Sequence, residues 1–260
     1  MARNPDAKNY NKTHLPLELA EERMIVHRDY LAHCLRWSHV IKNIKIGETF
    51  LDLGCADGPM GMALYTNKYK PKLYLGCDIR GSMVQKGLQK LKNAPWAKFL
   101  EVDLCRNFER IPREAWTVIT CFEMIEHIPE KEVEPLLINV KKLMSKDTTF
   151  FLSTPCFDGK NKAANHVKEW TYDELGSLLY KHFNIVEKNG TFMSQKDLKL
   201  ALMHEDQIAK YILTDIHPGQ ENSSLFDLLR GYYDSNLLSV IFAPLFPGYS
   251  RNCLWTLKLK

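Results

Sequence analysis

Short apolar runs alternate with amphipathic stretches through most of the chain. Strand-like runs stand at Thr49–Leu53, Leu73–Cys77, Lys98–Val102, Val118–Cys121 and Thr149–Ser153. Between them Met60–Thr66, Ser82–Leu91 and Lys131–Met144 show helical spacing of their apolar positions. Short apolar strands alternating with helices imply a parallel sheet covered on both faces. Ahead of this block, Leu17–Ile41 reads as helix, with Met24, Leu31, Cys34, Leu35 and Ile41 on an apolar stripe and His27, Arg28, Tyr30, Arg36 and Trp37 interleaved. After it, Thr171 and Glu174 have the spacing of a capping box in front of Leu175, Leu178 and Leu179. Two last strands, Asn184–Glu187 and Leu254–Leu257, flank a long segment with helix-like stretches at Leu198–Leu213 and Leu225–Tyr232. The reading divides the chain into a helical cap over residues 1–46 and an α/β domain over 47–260, with an insertion at about 191–248.

Size and composition fit this picture and narrow it little. The chain has 260 residues, 45% hydrophobic and 25% charged, enough for a buried core. A net charge of +4 is too mild to argue for a nucleic acid. Lys68, Lys70 and Lys72, and Lys86, Lys90 and Lys92, read as solvated faces. Seven cysteines lie scattered without metal-type pairing, and Cys77 and Cys121 fall at apolar strand positions. This pattern suggests a reducing, cytoplasmic setting. Residues Met1–His14 lack the apolar core of a signal peptide. The longest apolar run, Leu237–Phe246, falls short of the roughly 18 residues needed to span a bilayer. No membrane partner is expected.

The densest chemistry lies in Thr49-Phe50-Leu51-Asp52-Leu53-Gly54-Cys55-Ala56-Asp57-Gly58. A strand runs into a glycine-containing turn and then into a helix near Pro59, so backbone can pass close to a ligand and helical N–H groups can face it. Ligands of open α/β sheets bind at the carboxyl ends of the strands. Asp52 stands on the first strand, Asp78 ends the second at the position where such folds bond ribose hydroxyls, and Asp103 ends the third, followed by Leu104. A carboxylate at Asp103 can accept from an exocyclic amine.

On these residues the chain resembles the class I S-adenosylmethionine-dependent methyltransferases over about Glu48–Lys188 and the final strand. Asp52, Gly54 and Gly58 match the first motif, with Ala56 where the family carries its middle glycine. The resemblance implies a Rossmann-like, seven-stranded, mostly parallel sheet with helices on both faces and an antiparallel last strand. It implies S-adenosylmethionine as cofactor, with Asp78 on the ribose and Asp103 and Leu104 at the adenine. The absent middle glycine also argues against a dinucleotide oxidoreductase.

A second constellation follows the fourth strand, in Cys121-Phe122-Glu123-Met124-Ile125-Glu126-His127-Ile128. If helical, this stretch puts Glu123, Glu126 and His127 on one face. His166, in Asn165-His166-Val167-Lys168-Glu169-Trp170, follows the fifth strand and belongs to the same sheet edge. Two carboxylates and two imidazoles make a mixed oxygen and nitrogen site for a divalent cation, magnesium or manganese before zinc. The combination resembles two metal-using branches, the small-RNA 3′-terminal 2′-O-methyltransferases and the O-methyltransferases of ubiquinone biosynthesis. A metal there would orient an acceptor hydroxyl and lower its pKa. Without one, His127 or His166, with Glu126 beside them, would act as general base. Three readings stay open: an O-methyltransferase acting on a small molecule or glycan with adjacent oxygens, an RNA-terminal 2′-O-methyltransferase, and a non-catalytic cofactor-binding interaction module.

Overall fold

The computed structural model describes residues 28–45, 47–160, 162–203, 225–233 and 235–260. Met24 and His27, and residues 204–213 of the expected insertion helix, lie outside the described residues. The elements in order are α1 (Arg28–Asn43), β1 (Thr49–Leu53), α2 (Pro59–Thr66), β2 (Leu73–Asp78), α3 (Gly81–Lys90), β3 (Ala97–Glu101), β4 (Val118–Phe122), α4 (Glu130–Leu143) and β5 (Thr149–Pro155). There follow α5 (Tyr172–His182), β6 (Phe183–Phe192), α6 (Gln195–Leu202), α7 (Leu225–Tyr232), α8 (Ser235–Phe242) and β7 (Asn252–Leu259).

The strands form a seven-stranded sheet in the order β3-β2-β1-β4-β5-β7-β6. The pairs β1–β2, β1–β4, β2–β3 and β4–β5 are all parallel. Strand order reverses between β1 and β4, the switch point at which ligands of such sheets bind. The register sets Leu53 beside both Cys77 and Cys121, so the loops leaving β1, β2 and β4 start at one level. Burial follows position in the sheet. Every residue of central β1 is buried, whereas edge strand β3 has no fully buried position. β6 and β7 are antiparallel, since Thr191 bonds Asn252 at one end and Asn184 bonds Leu259 at the other.

Contacts divide the chain into two compact units, residues 37–188 with 254–260, and residues 1–36 with 189–253. The division falls inside α1. The first unit is built on Val40, Phe50, Met60, Leu64, Tyr74, Val118, Phe151 and Leu254. Its α5 begins at the expected capping box, with Thr171 accepting from the Glu174 N–H and Glu174 from the Thr171 N–H. In the second unit, Met193, Leu198, Ala201, Leu202, Phe226, Leu238 and Ala243 form a separate core. On α7 Phe226 is buried and Leu229 packs against this core, whereas Tyr232 and the following Tyr233 are exposed. Among the described residues, no helix is long and apolar enough to cross a membrane.

Candidate functional site

The turn after β1 is built from alternating left-handed residues, Gly54, Ala56 and Gly58, with φ of 73°, 48° and 80°. A Cβ on Gly54 would stand 2.4 Å from Met124 Cγ, and one on Gly58 2.8 Å from Phe99, so neither position has room for a side chain. Ala56 adopts the same conformation with a Cβ, at a cost of about 1–2 kcal/mol. Most of the turn's donors are used internally. The Gly54 and Cys55 N–H groups both donate to the Cys77 carbonyl, Gly58 N–H donates to Cys55, and Pro59 has no N–H. The turn thus shapes the backbone path more than it supplies the free donors expected from sequence.

The three acidic residues have three different environments. Asp52 lies on central β1, between the two strands that flank it. Its carboxylate is buried, accepting from the Tyr74 hydroxyl at 2.7 Å and from Thr120 Oγ1 at 2.7 Å. Loss of hydration outweighs these two bonds and raises its pKa to about 6. Asp78 stands at the end of β2, where its Oδ2 accepts from Ala56 N–H at 2.9 Å and its Oδ1 from Arg80 N–H at 2.9 Å. The Arg80 side chain lies across the same carboxylate, with Nε 3.0 Å from Oδ1 and Nη2 3.2 Å from Oδ2. Asp103 closes the turn after β3, its Oδ1 accepting from the N–H groups of Cys105 and Arg106. Leu104 beside it is buried, whereas Ile79, which follows Asp78, is exposed.

The stretch after β4 corrects the helical expectation. β4 continues through Phe122, Glu123 takes a left-handed φ of 52°, and only Ile125–His127 forms a single 3₁₀ turn. Glu123 points its Oε1 at Ser153 Oγ, 2.8 Å away. The metal-competent group among the described residues consists of Glu126, His127 and His166, whose ligand atoms lie within 4.8 Å of one another. Long-range bonds assemble it. The Glu126 carbonyl accepts from the N–H groups of Val167 and Lys168, which ties the two loops together. Its carboxylate, 1% exposed, accepts from Thr154 Oγ1 at 2.8 Å.

Both imidazoles have a defined tautomer. His127 Nδ1 lies 3.1 Å from the Asn165 carbonyl, which can only accept, so Nδ1 carries the proton. His166 Nδ1 lies 2.5 Å from Glu169 Oε1, and Glu169 also accepts from Ala163 N–H. A neutral ring with its proton on Nδ1 carries its lone pair on Nε2, and Nε2 of His127 is 3.9 Å from Glu126 Oε1. The rings meet edge to face with centroids 4.8 Å apart. Burial lowers the pKa of His127 and favours its neutral, ligand-competent form.

A protein-family model described as a methyltransferase domain matches residues 23–205, most of the chain and all of the elements above from α1 to β6. The chain belongs to the methyltransferase domain family. The domain is 28% identical over 134 residues to the sphingolipid C9-methyltransferase A of Emericella nidulans, a match covering 51% of this chain and 24% of that protein. The chain thus spans about a quarter of the curated relatives it matches. Among solved structures, a TehB-like SAM-dependent methyltransferase from Corynebacterium glutamicum superposes with a TM-score of 0.56 at 14% identity, covering 99% of this chain and 100% of that one. The N-methyltransferase NodS from Bradyrhizobium japonicum, in complex with S-adenosyl-L-homocysteine, gives 0.54 at 12% identity, with 89% and 86% covered. These two likenesses are of fold.

Several residues of the methyltransferase domain site were not singled out from sequence. Tyr74 and Thr120 hold Asp52, Thr154 holds Glu126, Glu169 holds His166, and Arg80 covers Asp78. Arg80 and Glu169 had a usable signal, each being a charged residue two or three positions from a candidate ligand.

Proposed function

We propose that the protein is an S-adenosylmethionine-dependent methyltransferase that methylates a hydroxyl flanked by a second oxygen on a small molecule, assisted by a divalent cation. The cofactor reading is supported by the family, the turn at Gly54–Gly58 and the strand-end carboxylate of Asp78. In that reading Asp78 holds the ribose hydroxyls, Ile79 lies against the adenine, and Asp103 and Leu104 border it.

The observation that carries the metal reading is the orientation of His127 and His166. Each imidazole donates its Nδ1 proton to a fixed acceptor, a carbonyl or a carboxylate, which is how metal-binding histidines are oriented. Glu126, His127 and His166 would hold the ion, which when bound would act as a Lewis acid on an acceptor oxygen. One carboxylate and two imidazoles favour manganese over magnesium, which prefers an oxygen shell.

The protein's own part is mainly positioning, because the displacement leaves a neutral thioether. The acceptor oxygen forms a bond to the methyl carbon, the carbon–sulfur bond breaks with its electron pair retained by sulfur, and the acceptor proton must be taken up. With Glu126 and both imidazoles engaged as ligands that proton passes to water; without an ion, His127 or His166 would take it at Nε2. Screening vicinal diols and catechols against their mono-deoxy analogues tests the acceptor class. A preference of tenfold or more for adjacent oxygens is expected, and equal turnover of isolated hydroxyls overturns it.

A further inference from the structure

The carboxylate at the end of β2 is already covered by a side chain of its own loop. Asp78 has a side chain only 5% exposed although it ends a strand at the open edge of the sheet, and the guanidinium over it is 51% exposed. Four donors occupy its two oxygens: the N–H groups of Ala56 and Arg80, and Nε and Nη2 of the Arg80 side chain. An ionised carboxylate offers about four lone-pair sites, so this one is saturated. A ribose diol cannot add to it; it must replace something.

The four bonds are not equal in this respect. The two from backbone N–H groups belong to a turn fixed at Gly54, Ala56 and Gly58 and to the residue that opens α3. The two from the guanidinium depend on side-chain torsions of a half-exposed residue. We propose that Arg80 is a latch on Asp78, a positioning residue whose guanidinium holds the carboxylate aimed until the cofactor's ribose hydroxyls displace it. The backbone bonds from Ala56 and Arg80 stay in place through the exchange. The inference rests on the proposed ribose role of Asp78.

A latch makes cofactor affinity rise when the latch is weakened, the opposite of what removing a direct contact does. The test is calorimetric titration of S-adenosylhomocysteine into wild type, Arg80→Ala, Arg80→Gln and Asp78→Asn, at low and high salt. An exposed ion pair of this kind corresponds to a factor of about two to five in an equilibrium constant. Both Arg80 variants should therefore bind about two- to fivefold more tightly than wild type at low salt. The difference should shrink at high salt, because salt screens the latch only where it exists. Arg80→Gln guards against a folding defect in Arg80→Ala, and a thermal melt of each free protein verifies folding. Equal or weaker binding by both folded variants overturns the latch. Asp78→Asn separates the underlying reading: unchanged affinity there removes the ribose role of Asp78, whereas weakened affinity together with unimproved Arg80 variants leaves that role standing and removes the latch alone.

Discussion

Replacing Asp52 with asparagine should change how stability depends on pH. The carboxyl is buried between Tyr74 and Thr120, and loss of hydration moves its pKa from 3.8 to about 6 despite two hydroxyl donors. Each pKa unit is worth about 1.4 kcal/mol, so the displacement corresponds to about 3 kcal/mol. The sign follows from linkage. Between the unfolded and folded pKa values the native state binds the proton and the unfolded chain does not, so the contribution to stability falls as pH rises through that window. Asparagine keeps the shape and has no such window. Its oxygen can accept from Tyr74, and its amide can donate to Thr120 Oγ1 if that hydroxyl turns its proton to the Leu51 carbonyl, 3.5 Å away. Urea denaturation read from the buried Trp116 and Trp255 gives the stability gap at each pH. From about pH 4 to about pH 7 the gap should move by about 3 kcal/mol in favour of Asp52→Asn. A gap constant within about 1 kcal/mol over that range would mean that Asp52 ionises normally in the folded protein.

Ala56→Gly should be neutral to stabilising by up to about 1 kcal/mol, because relief of the left-handed strain at φ 48° outweighs the added freedom of glycine in the unfolded chain. A loss of more than about 1 kcal/mol in chemical denaturation would show that the Ala56 methyl packs rather than strains. Glu169→Gln should weaken manganese binding by about tenfold or more, since the carboxylate 2.5 Å from His166 Nδ1 fixes the tautomer and the orientation of the ring. Unchanged affinity by equilibrium dialysis would reduce Glu169 to a loop tether on Ala163.

The parallel sheet was legible because buried strands read as continuous apolar runs with no helical period. β1 and α7 fall on their expected bounds, β3 is shifted by one residue, and the other strands differ by extension at their ends. The capping box at Thr171 was readable because it is a local device, complete within four residues. The second constellation misled for the same reason of locality. Glu123, Glu126 and His127 have helical spacing, but β4 runs on past Cys121 and Glu123 turns left-handed while bonding to Ser153 on the neighbouring strand. Nothing within eight residues of sequence announces that contact. Asp52 shows the same difficulty: its partners, Tyr74 and Thr120, come from the two strands flanking β1 and stood in strand-like runs with no role of their own. α8 was missed because its apolar run was weighed against a membrane span and not against a helix packed in a small core of its own.

The central claim is that Glu126, His127 and His166 form a divalent-cation site serving methyl transfer. Titrating manganese into protein stripped with chelator, and following the free ion by electron paramagnetic resonance, tests it most directly. Wild type should bind one manganese per chain, His166→Ala should lose that site, and added manganese should restore turnover to the stripped wild type alone. Stripped protein that binds no manganese and still methylates its acceptor at full rate would contradict the claim.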